Sequence, residues 1–264
     1  MTEYIYDPST EDERKRLAAL EFLLDPETFR ILERIGVSEG WRCLEVGGGG
    51  GSVTRWLTER VGAGGHVVAT DLSPRFLEEI DAPNLEVRKH NVVTEPLEEG
   101  TYDLVHSRDV LEHIPEREAV LDKMVAALKP GGWLVAEDVD FVSALRLEGF
   151  GEKTDLITYE GKMWSAAVKS MRARGIEAEY GRRLPWRLKA RGLEEIDAGV
   201  RGGLAKAGSP GAILASLSVI QLRPLLIEGS MTAEEVDRLI EYIKGDEFMG
   251  FGPFQVAAWG RKPA

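Results

Sequence analysis

The stretch WRCLEVGGGGGSVTRWL, residues 41–57, decides the fold. Its apolar start, Trp41–Val46, predicts a short buried strand, and Val53–Val61 carries apolar residues at helical spacing. Five consecutive glycines separate the two, and a backbone without Cβ atoms can turn tightly and approach a ligand closely. The helix that follows directs unpaired N–H groups and a partial positive charge at the turn. A plain surface turn would not need five glycines, so the stretch predicts a strand–loop–helix unit that holds a ligand.

The alternation of strand and helix continues through the first 140 residues. Further strands are predicted at 66–70, 85–89, 102–106 and 133–136, and helices at 11–34, 74–80 and 116–128. Residues 11–34 are predicted to form one helix or two, since Asp25-Pro26 is typical of a stop and restart. Such alternation indicates βαβ crossovers and a parallel, doubly wound sheet, whose ligands bind at the carboxyl ends of the strands. The second half loses this rhythm, with helices predicted at 155–175, 184–190, from about 210, and after the capping box Thr232–Glu235, and strands at 193–198 and 254–260.

Composition excludes several classes of protein. The chain has 264 residues, 43% of them apolar and 30% charged, which is ordinary globular usage and excludes global disorder. A net charge of −12 argues against binding long stretches of nucleic acid. One cysteine, Cys43, excludes an internal disulfide framework and a cysteine-based zinc site. The polar, acidic beginning predicts no signal or transit peptide, and the most apolar window, Ala212–Leu222, is predicted to be too short and too polar to span a bilayer. We therefore expect a cytoplasmic protein without membrane partners.

Two common nucleotide loops do not fit the glycine run. A dinucleotide fingerprint places a third small residue five positions after the first glycine, and here that position falls on Ser52, Val53 or Thr54. A phosphate-binding P-loop needs a lysine after the last glycine, and none follows. The pattern that does fit is an acidic residue followed by alternating glycines: Glu45-x-Gly47-x-Gly49-x-Gly51.

This pattern, with the rest of the first 140 residues, resembles the class I S-adenosylmethionine-dependent methyltransferases. Their other motifs appear in the expected order: Asp71, which ends the second strand in VVATDLSP, 20 residues beyond Gly51, then KHNV at 89–92, YDLVHSRDVLEH at 102–113 and LKPGGWLVAE at 128–137. An Asp at position 71 can accept both ribose hydroxyls, and the alternative is a turn or helix-cap Asp before Ser73-Pro74. Asn91 stands where the family more often has Asp, and its carbonyl oxygen can accept from the adenine amino group. The resemblance implies S-adenosylmethionine as cofactor, bound by Glu45, Gly47, Gly49, Gly51, Asp71, Leu72, Asn91, Val92, Ser107 and Arg108.

The resemblance also implies the architecture. It predicts a Rossmann-like, doubly wound, seven-stranded α/β sheet with an antiparallel last strand and a helical cap or lid. One methyltransferase domain would cover residues 1–264: an N-terminal helical lid over 1–35, the cofactor-binding core over 36–141, and cap helices with the last two strands over 142–264. Tyr4, Tyr6 and Arg16 could fold over the cofactor in that lid. GRRLP at 181–185 and AWGRKP at 258–263 resemble an actinobacterial branch rich in natural-product tailoring enzymes.

Chemistry on the acceptor depends on groups beyond the fourth and fifth strands. Methyl transfer from a sulfonium is an in-line displacement, so a base is needed only if the acceptor must lose a proton. His113 and Asp138 are the predicted catalytic residues, with orientation of the loop as the alternative role for His113. His106 is predicted to be packed inside its strand. The acidic run Glu137, Asp138 and Asp140 could hold a metal ion, but it is predicted to be a solvated loop, so no metal is expected.

We therefore predict a methyltransferase acting on a small molecule, on a hydroxyl oxygen more than on nitrogen or carbon. The main alternative is a protein of the same fold that binds cofactor or ligand without methyl transfer; an NAD-linked oxidoreductase is disfavoured by the missing third glycine. Methylation of RNA or protein fits the acidic surface poorly. The oligomeric state stays open, with a homodimer as one option.

Overall fold

The computed structural model describes residues 10–144 and 154–264, with only the backbone described over 154–160. These described residues contain nine strands: β1 (Arg42–Val46), β2 (His66–Asp71), β3 (Leu85–Lys89), β4 (Tyr102–Arg108), β5 (Leu128–Asp140), β6 (Glu194–Arg201), β7 (Leu204–Lys206), β8 (Met249–Phe251) and β9 (Phe254–Arg261). The α-helices are α1 (Glu11–Arg34), α2 (Ser52–Val61), α3 (Arg117–Ala127), α4 (Phe141–Ala144), α5 (Thr154–Ala173), α6 (Tyr180–Ala190), α7 (Pro210–Glu228) and α8 (Ala233–Lys244). The chain divides into two compact units: Leu24–Asp138, Tyr180–Val200 and Val256–Ala264 form one, and Met1–Leu23, Val139–Glu179 and Arg201–Gln255 form the other.

A seven-stranded sheet in the order β3-β2-β1-β4-β5-β9-β6 forms the first unit's framework. Strand β1 pairs in parallel with β2 on one side and with β4 on the other, and β9 runs antiparallel. This confirms the predicted α/β fold with an antiparallel last strand. Because the order reverses direction beside β1, the carboxyl ends of β1 and β4 flank the switch point at which such sheets bind ligands.

Apolar clusters pack on both faces of this sheet. Alternate residues of β1 point to opposite faces, so Leu44 and Val46 join a cluster that also contains buried residues of α3 and α6. Cys43 joins the other cluster, with Val53 and Leu57 of α2. A strand buried on both faces must be apolar nearly throughout, which is why charged residues within these strands need buried partners.

The second unit is mainly helical. Helices α5, α7 and α8 pack around buried residues that include Val219, Leu226 and Leu239, and β7 pairs with β8 as a short antiparallel ribbon. The predicted capping box at the start of α8 is confirmed, with Thr232 and Glu235 each accepting the other's backbone N–H. Helix α7 has 19 residues, more than the window predicted from the sequence, and is long and apolar enough by length and composition to cross a membrane. One such helix is weak support for a membrane span, so the expected absence of a membrane partner stays a prediction.

Three features of local structure differ from what the sequence suggested. Helix α1 continues through Asp25-Pro26 instead of restarting there. A proline in a helix leaves the carbonyl four residues earlier without its N–H partner; that residue is Phe22, which is 68% exposed, so water can take the bond. The helix predicted at 74–80 is only a 3₁₀ turn, Pro74–Phe76; a segment of so few residues gains little from helix propagation to offset the cost of nucleation. The pairing of β7 with β8 was not predicted, because each strand has only three residues.

Candidate functional site

The glycine loop joins β1 to α2 at the carboxyl edge of the sheet. Gly47, Gly49 and Gly51 have φ values of +73°, +54° and +89°, a conformation that residues with a Cβ rarely adopt. These are the three glycines that the alternating pattern singled out. A Cβ on Gly47 would lie 2.4 Å from Cγ2 of Val110, and one on Gly48 would lie 2.8 Å from Cδ2 of Leu77. The loop is therefore a cradle that only glycine can line at these positions.

Strand β2 fixes the loop from the side. The N–H groups of Gly47 and Gly48 donate to the carbonyl of Thr70 at 2.8 and 3.0 Å. The N–H of Gly49 donates to Oδ2 of Asp71 at 3.0 Å, and Oδ1 of Asp71 accepts the N–H of Ser73 at 2.8 Å. Burial raises the pKa of Asp71, although these backbone donors oppose the shift. Asp71 can serve both as a turn residue and as a ribose ligand, because its carboxylate has more acceptor sites than these backbone donors fill.

Leu72 is exposed, whereas the loop after β3 is partly buried. Leu72 is 53% exposed, so a flat ligand could pack against its side chain, whereas Val92 is buried in the core. Oδ1 of Asn91 accepts the N–H of Val93 at 3.0 Å, so its carbonyl already makes a local turn. Nζ of Lys123 in α3 donates to the carbonyls of Val92, Val93 and Glu95 at 2.9, 2.8 and 3.0 Å. The ammonium group of Lys123 therefore fixes the loop, a role that could not be predicted from the position of Lys123 in the sequence.

Ser107 and Arg108 end strand β4. Ser107 is fully buried opposite Val46, and its hydroxyl has no hydrogen-bond partner among the described residues. Arg108 turns toward helix α1: its Nη1 lies 2.9 Å from Oδ1 of Asp25 and 3.0 Å from Oγ1 of Thr28. Oγ of Ser52 donates to the same Asp25 oxygen at 2.9 Å, so the first turn of α2 is tied to α1. The cofactor-binding role predicted for Arg108 stays a prediction, since the structure gives its guanidinium these protein partners.

A buried histidine lies between two buried glutamates on three neighbouring strands. Nε2 of His106 in β4 is 3.0 Å from Oε1 of Glu137 in β5, and its Nδ1 is 3.4 Å from Oε1 of Glu45 in β1. Burial by itself would lower the pKa of His106, but the two carboxylates outweigh it and raise the pKa to about 9. The expectation that His106 is merely packed was therefore incomplete. Charged residues inside three apolar strand runs were the signal that could have revealed the pairing.

The two predicted catalytic residues lie at one turn. Oδ1 of Asp138, fully buried at the end of β5, accepts the N–H of Glu112 at 3.1 Å. Burial raises the pKa of Asp138 well above its usual range, although backbone N–H groups of Val110, Leu111 and Glu112 oppose this. Nε2 of His113 lies 3.3 Å from Oε1 of Glu112 in the same turn. Asp138 thus holds the turn that carries His113, and a catalytic role for either residue stays a prediction.

The other sequence hypotheses concern a metal and the N-terminal lid. Within residues 10–144 and 161–264 there is no group of three or more His, Cys, Asp or Glu placed to hold a metal ion; metal independence itself stays a prediction. Arg16 is buried in the second unit, where it makes a bidentate pair with Glu13 at 2.7 and 2.8 Å. Tyr4 and Tyr6 lie outside the described residues.

Comparison with known proteins agrees with this geometry. Residues 44–134, which include the glycine loop, Asp71 and the turn at His113, match a methyltransferase domain family. Over these residues the chain is similar to a methyltransferase domain. S-adenosylmethionine is the cofactor that this match supports.

Three curated relatives illustrate the range of matches. The chain is 28% identical to methyltransferase str2 of Strobilurus tenacellus over 62% of this chain and 58% of that protein. It is 34% identical to the ubiquinone biosynthesis O-methyltransferase of Paraburkholderia xenovorans over 36% of this chain and 43% of that protein. It is 31% identical to the highly reducing polyketide synthase verA of Penicillium polonicum over 46% of this chain and 6% of that protein. The chain thus spans little more than half the length of the first curated relatives it matches.

A solved structure shares the fold over nearly the whole chain. The phosphoethanolamine N-methyltransferase 2 of Haemonchus contortus, in complex with S-adenosyl-L-methionine, superposes with a TM-score of 0.56 at 20% identity, covering 97% of this chain and 59% of that one. The predicted resemblance to an actinobacterial branch finds no support, because the three curated relatives above are fungal or proteobacterial.

The residues around the glycine loop offer groups that fit S-adenosylmethionine. The cradle at Gly47 and Gly48 has no room for a Cβ, the Asp71 carboxylate keeps free lone pairs, and Leu72 is an exposed apolar surface beside it. Oε2 of Glu45 is buried without a hydrogen-bond partner among the described residues. A ligand with a ribose, a flat base and an ammonium would satisfy these groups.

Proposed function

We propose that this protein transfers a methyl group from S-adenosylmethionine to a small-molecule acceptor. The observation that carries the proposal is the glycine loop: its three left-handed glycines coincide with the alternating motif, and Asp71 of the next strand binds the loop directly. The match of residues 44–134 to a methyltransferase domain supports the same activity.

The chain's own residues would bind and align the reactants. When bound, S-adenosylmethionine supplies a methyl group on a sulfonium, which a nucleophile displaces in line. The glycine loop, which has no Cβ atoms, would let the backbone approach the cofactor, Asp71 would accept the ribose hydroxyls, and Leu72 would lie against the adenine. Lys123 holds the loop carrying Asn91 and Val92, which would face the adenine edge. A fixed geometry of this kind can supply much of the rate enhancement without a strong base.

A hydroxyl of a natural product is the acceptor that we favour. Named relatives include an O-methyltransferase of ubiquinone biosynthesis and a polyketide synthase, and both names point to small organic acceptors. A hydroxyl must lose its proton as the methyl group arrives, and His113 and Asp138 are the proposed acceptors of that proton. The acidic chain, with its net charge of −12, fits a polyanionic nucleic-acid acceptor poorly. A cytoplasmic location belongs to the same proposal.

The second candidate is a protein of this fold that binds the cofactor without methyl transfer, because a fold does not fix its chemistry. Two measurements separate the candidates. Calorimetry with S-adenosylhomocysteine tests binding, and release of S-adenosylhomocysteine from S-adenosylmethionine with a panel of phenols, catechols and amines tests transfer. Binding without release for any acceptor would favour the second candidate.

The variant Asp71→Ala tests the binding site itself. It should weaken S-adenosylhomocysteine binding at least about tenfold, because hydrogen bonds to a charged group each contribute roughly 1.5–3 kcal/mol. Asp237→Ala, which removes an exposed carboxylate on α8, is the control and should leave the affinity unchanged. Equal affinity of the Asp71 variant and the native protein would refute the proposed site.

A further inference from the structure

The buried charges beside the glycine loop form an alternating series. Glu45, His106 and Glu137 are 3%, 0% and 2% exposed, and Glu137 lies opposite Arg108 in the pairing of β4 with β5. Arg108 in turn pairs with Asp25 at 2.9 Å. Buried charges are tolerated when each has a partner of opposite sign. This series has three carboxylates and two cations, so it ends with one negative charge in excess.

The excess lies at the Glu45 end. Oε1 of Glu45 is 3.4 Å from His106, whereas Oε2 is buried and has no hydrogen-bond partner in the described part of the chain. Glu45 comes two residues before Gly47, and its charge acts on Asp71 strongly enough to help raise the pKa of that carboxyl. The unsatisfied oxygen therefore belongs to the same edge of the sheet as the glycine loop and the proposed ribose carboxylate. A small cation with N–H donors would remove both the charge excess and the missing hydrogen bond.

We infer that His106 is a positioning residue for the amino group of the cofactor's methionine part: its ring holds Oε1 of Glu45, so that Oε2 accepts the cofactor's ammonium. This inference rests on the proposed function. His106 does not touch the cofactor in this arrangement and acts through Glu45. Glu137 anchors the far side of the ring and keeps it in the orientation that reaches Glu45.

The electrostatic surroundings of the ring support a permanent charge. Glu45 faces it from β1 and Glu137 from β5, and Arg108 is the nearest cation on its own strand. The pKa of His106 is raised to about 9 by the two carboxylates. Nε2 makes a 3.0 Å hydrogen bond with Glu137, whereas Nδ1 makes only a longer ion contact of 3.4 Å with Glu45. A neutral ring could donate to only one of the two glutamates and would leave the other carboxylate unpaired.

The test compares two ligands that differ in the amino-acid part to which the inference applies. S-adenosylhomocysteine carries the amino acid with its ammonium and carboxylate, whereas 5′-methylthioadenosine keeps the adenosine and sulfur and has a methyl group in place of the amino-acid chain. In His106→Gln the affinity for S-adenosylhomocysteine should fall about fivefold or more, since a charge-assisted arrangement is lost, while the affinity for 5′-methylthioadenosine changes less than about twofold. Calorimetry on the native protein and on the variant measures the change in affinity for each ligand.

Further variants guard against a folding defect. Glu137→Gln removes the carboxylate that anchors the other side of the ring. It should therefore also lower the affinity for S-adenosylhomocysteine relative to that for 5′-methylthioadenosine. This variant replaces His106→Gln in the test if His106→Gln does not fold. In the Glu45→Gln background, His106→Gln should have no further selective effect, because the two residues act as one unit. Equal losses for both ligands, or an unchanged ratio in both single variants, would overturn the inference. If the native protein binds neither ligand, the proposed function itself fails, which is a distinct result.

Discussion

Gly47 offers the sharpest test of the loop geometry. Its φ of +73° costs a residue with a Cβ roughly 1–2 kcal/mol. The new methyl group would also lie 2.4 Å from Cγ2 of Val110, and valine has little freedom to move away because its χ1 is restricted. Overpacking of this kind costs about 1–3 kcal/mol. Gly47→Ala should therefore lower the free energy of unfolding by roughly 2–5 kcal/mol in urea titrations.

Two companions separate the backbone strain from the steric clash. Gly36 also has a positive φ, +87°, but a Cβ there would meet nothing within 4 Å. Gly36→Ala should thus cost only the roughly 1–2 kcal/mol of backbone strain. Adding Val110→Ala to Gly47→Ala should recover part of the loss, as a coupling of about 1–3 kcal/mol in a double-mutant cycle. The proposed geometry of the glycine loop would be refuted if Gly36→Ala and Gly47→Ala lowered the free energy of unfolding equally and Val110→Ala restored none of the loss in Gly47→Ala.

Three other outcomes follow from the site and the helices. The pKa of His106 is raised from 6.5 to about 9 on folding. The native protein should therefore be more stable than His106→Gln by a constant amount below pH 6.5, and this difference should disappear as the pH rises through 9. Urea titrations at pH 6, 8 and 10 measure the difference, and a difference that does not change with pH would contradict the prediction. Asp138→Asn should be at least as stable as native protein at pH 7, because burial disfavours the charged form; if Asp138 is the base, release of S-adenosylhomocysteine falls about 100-fold or more with unchanged cofactor affinity. Thr232→Ala should cost about 1 kcal/mol in urea titrations, because the N–H of Glu235 loses its cap, and Thr101→Ala, on an exposed loop hydroxyl, should cost less.

The glycine loop and the strands around it could be predicted because their signals are local. A strand needs a short apolar run, and a tight left-handed turn needs glycine, so both are written in neighbouring residues. The same holds for the capping box at Thr232, which involves residues three positions apart. At Asp25-Pro26 the sequence left one helix or two open, and the structure has one helix, in which Asp25 binds both Ser52 and Arg108.

By itself, then, the sequence determined the strand–loop–helix unit, the order of the elements and the identity of the glycines that must lie in left-handed conformations. Only the tertiary structure decided which charged side chains meet. Glu45, His106 and Glu137 are far apart along the chain, and they come within ion-pair distance because β1, β4 and β5 are laterally adjacent in the sheet. That order is set by pairing between distant segments, and a buried carboxylate gains its partner from the neighbouring strand rather than from the neighbouring residue.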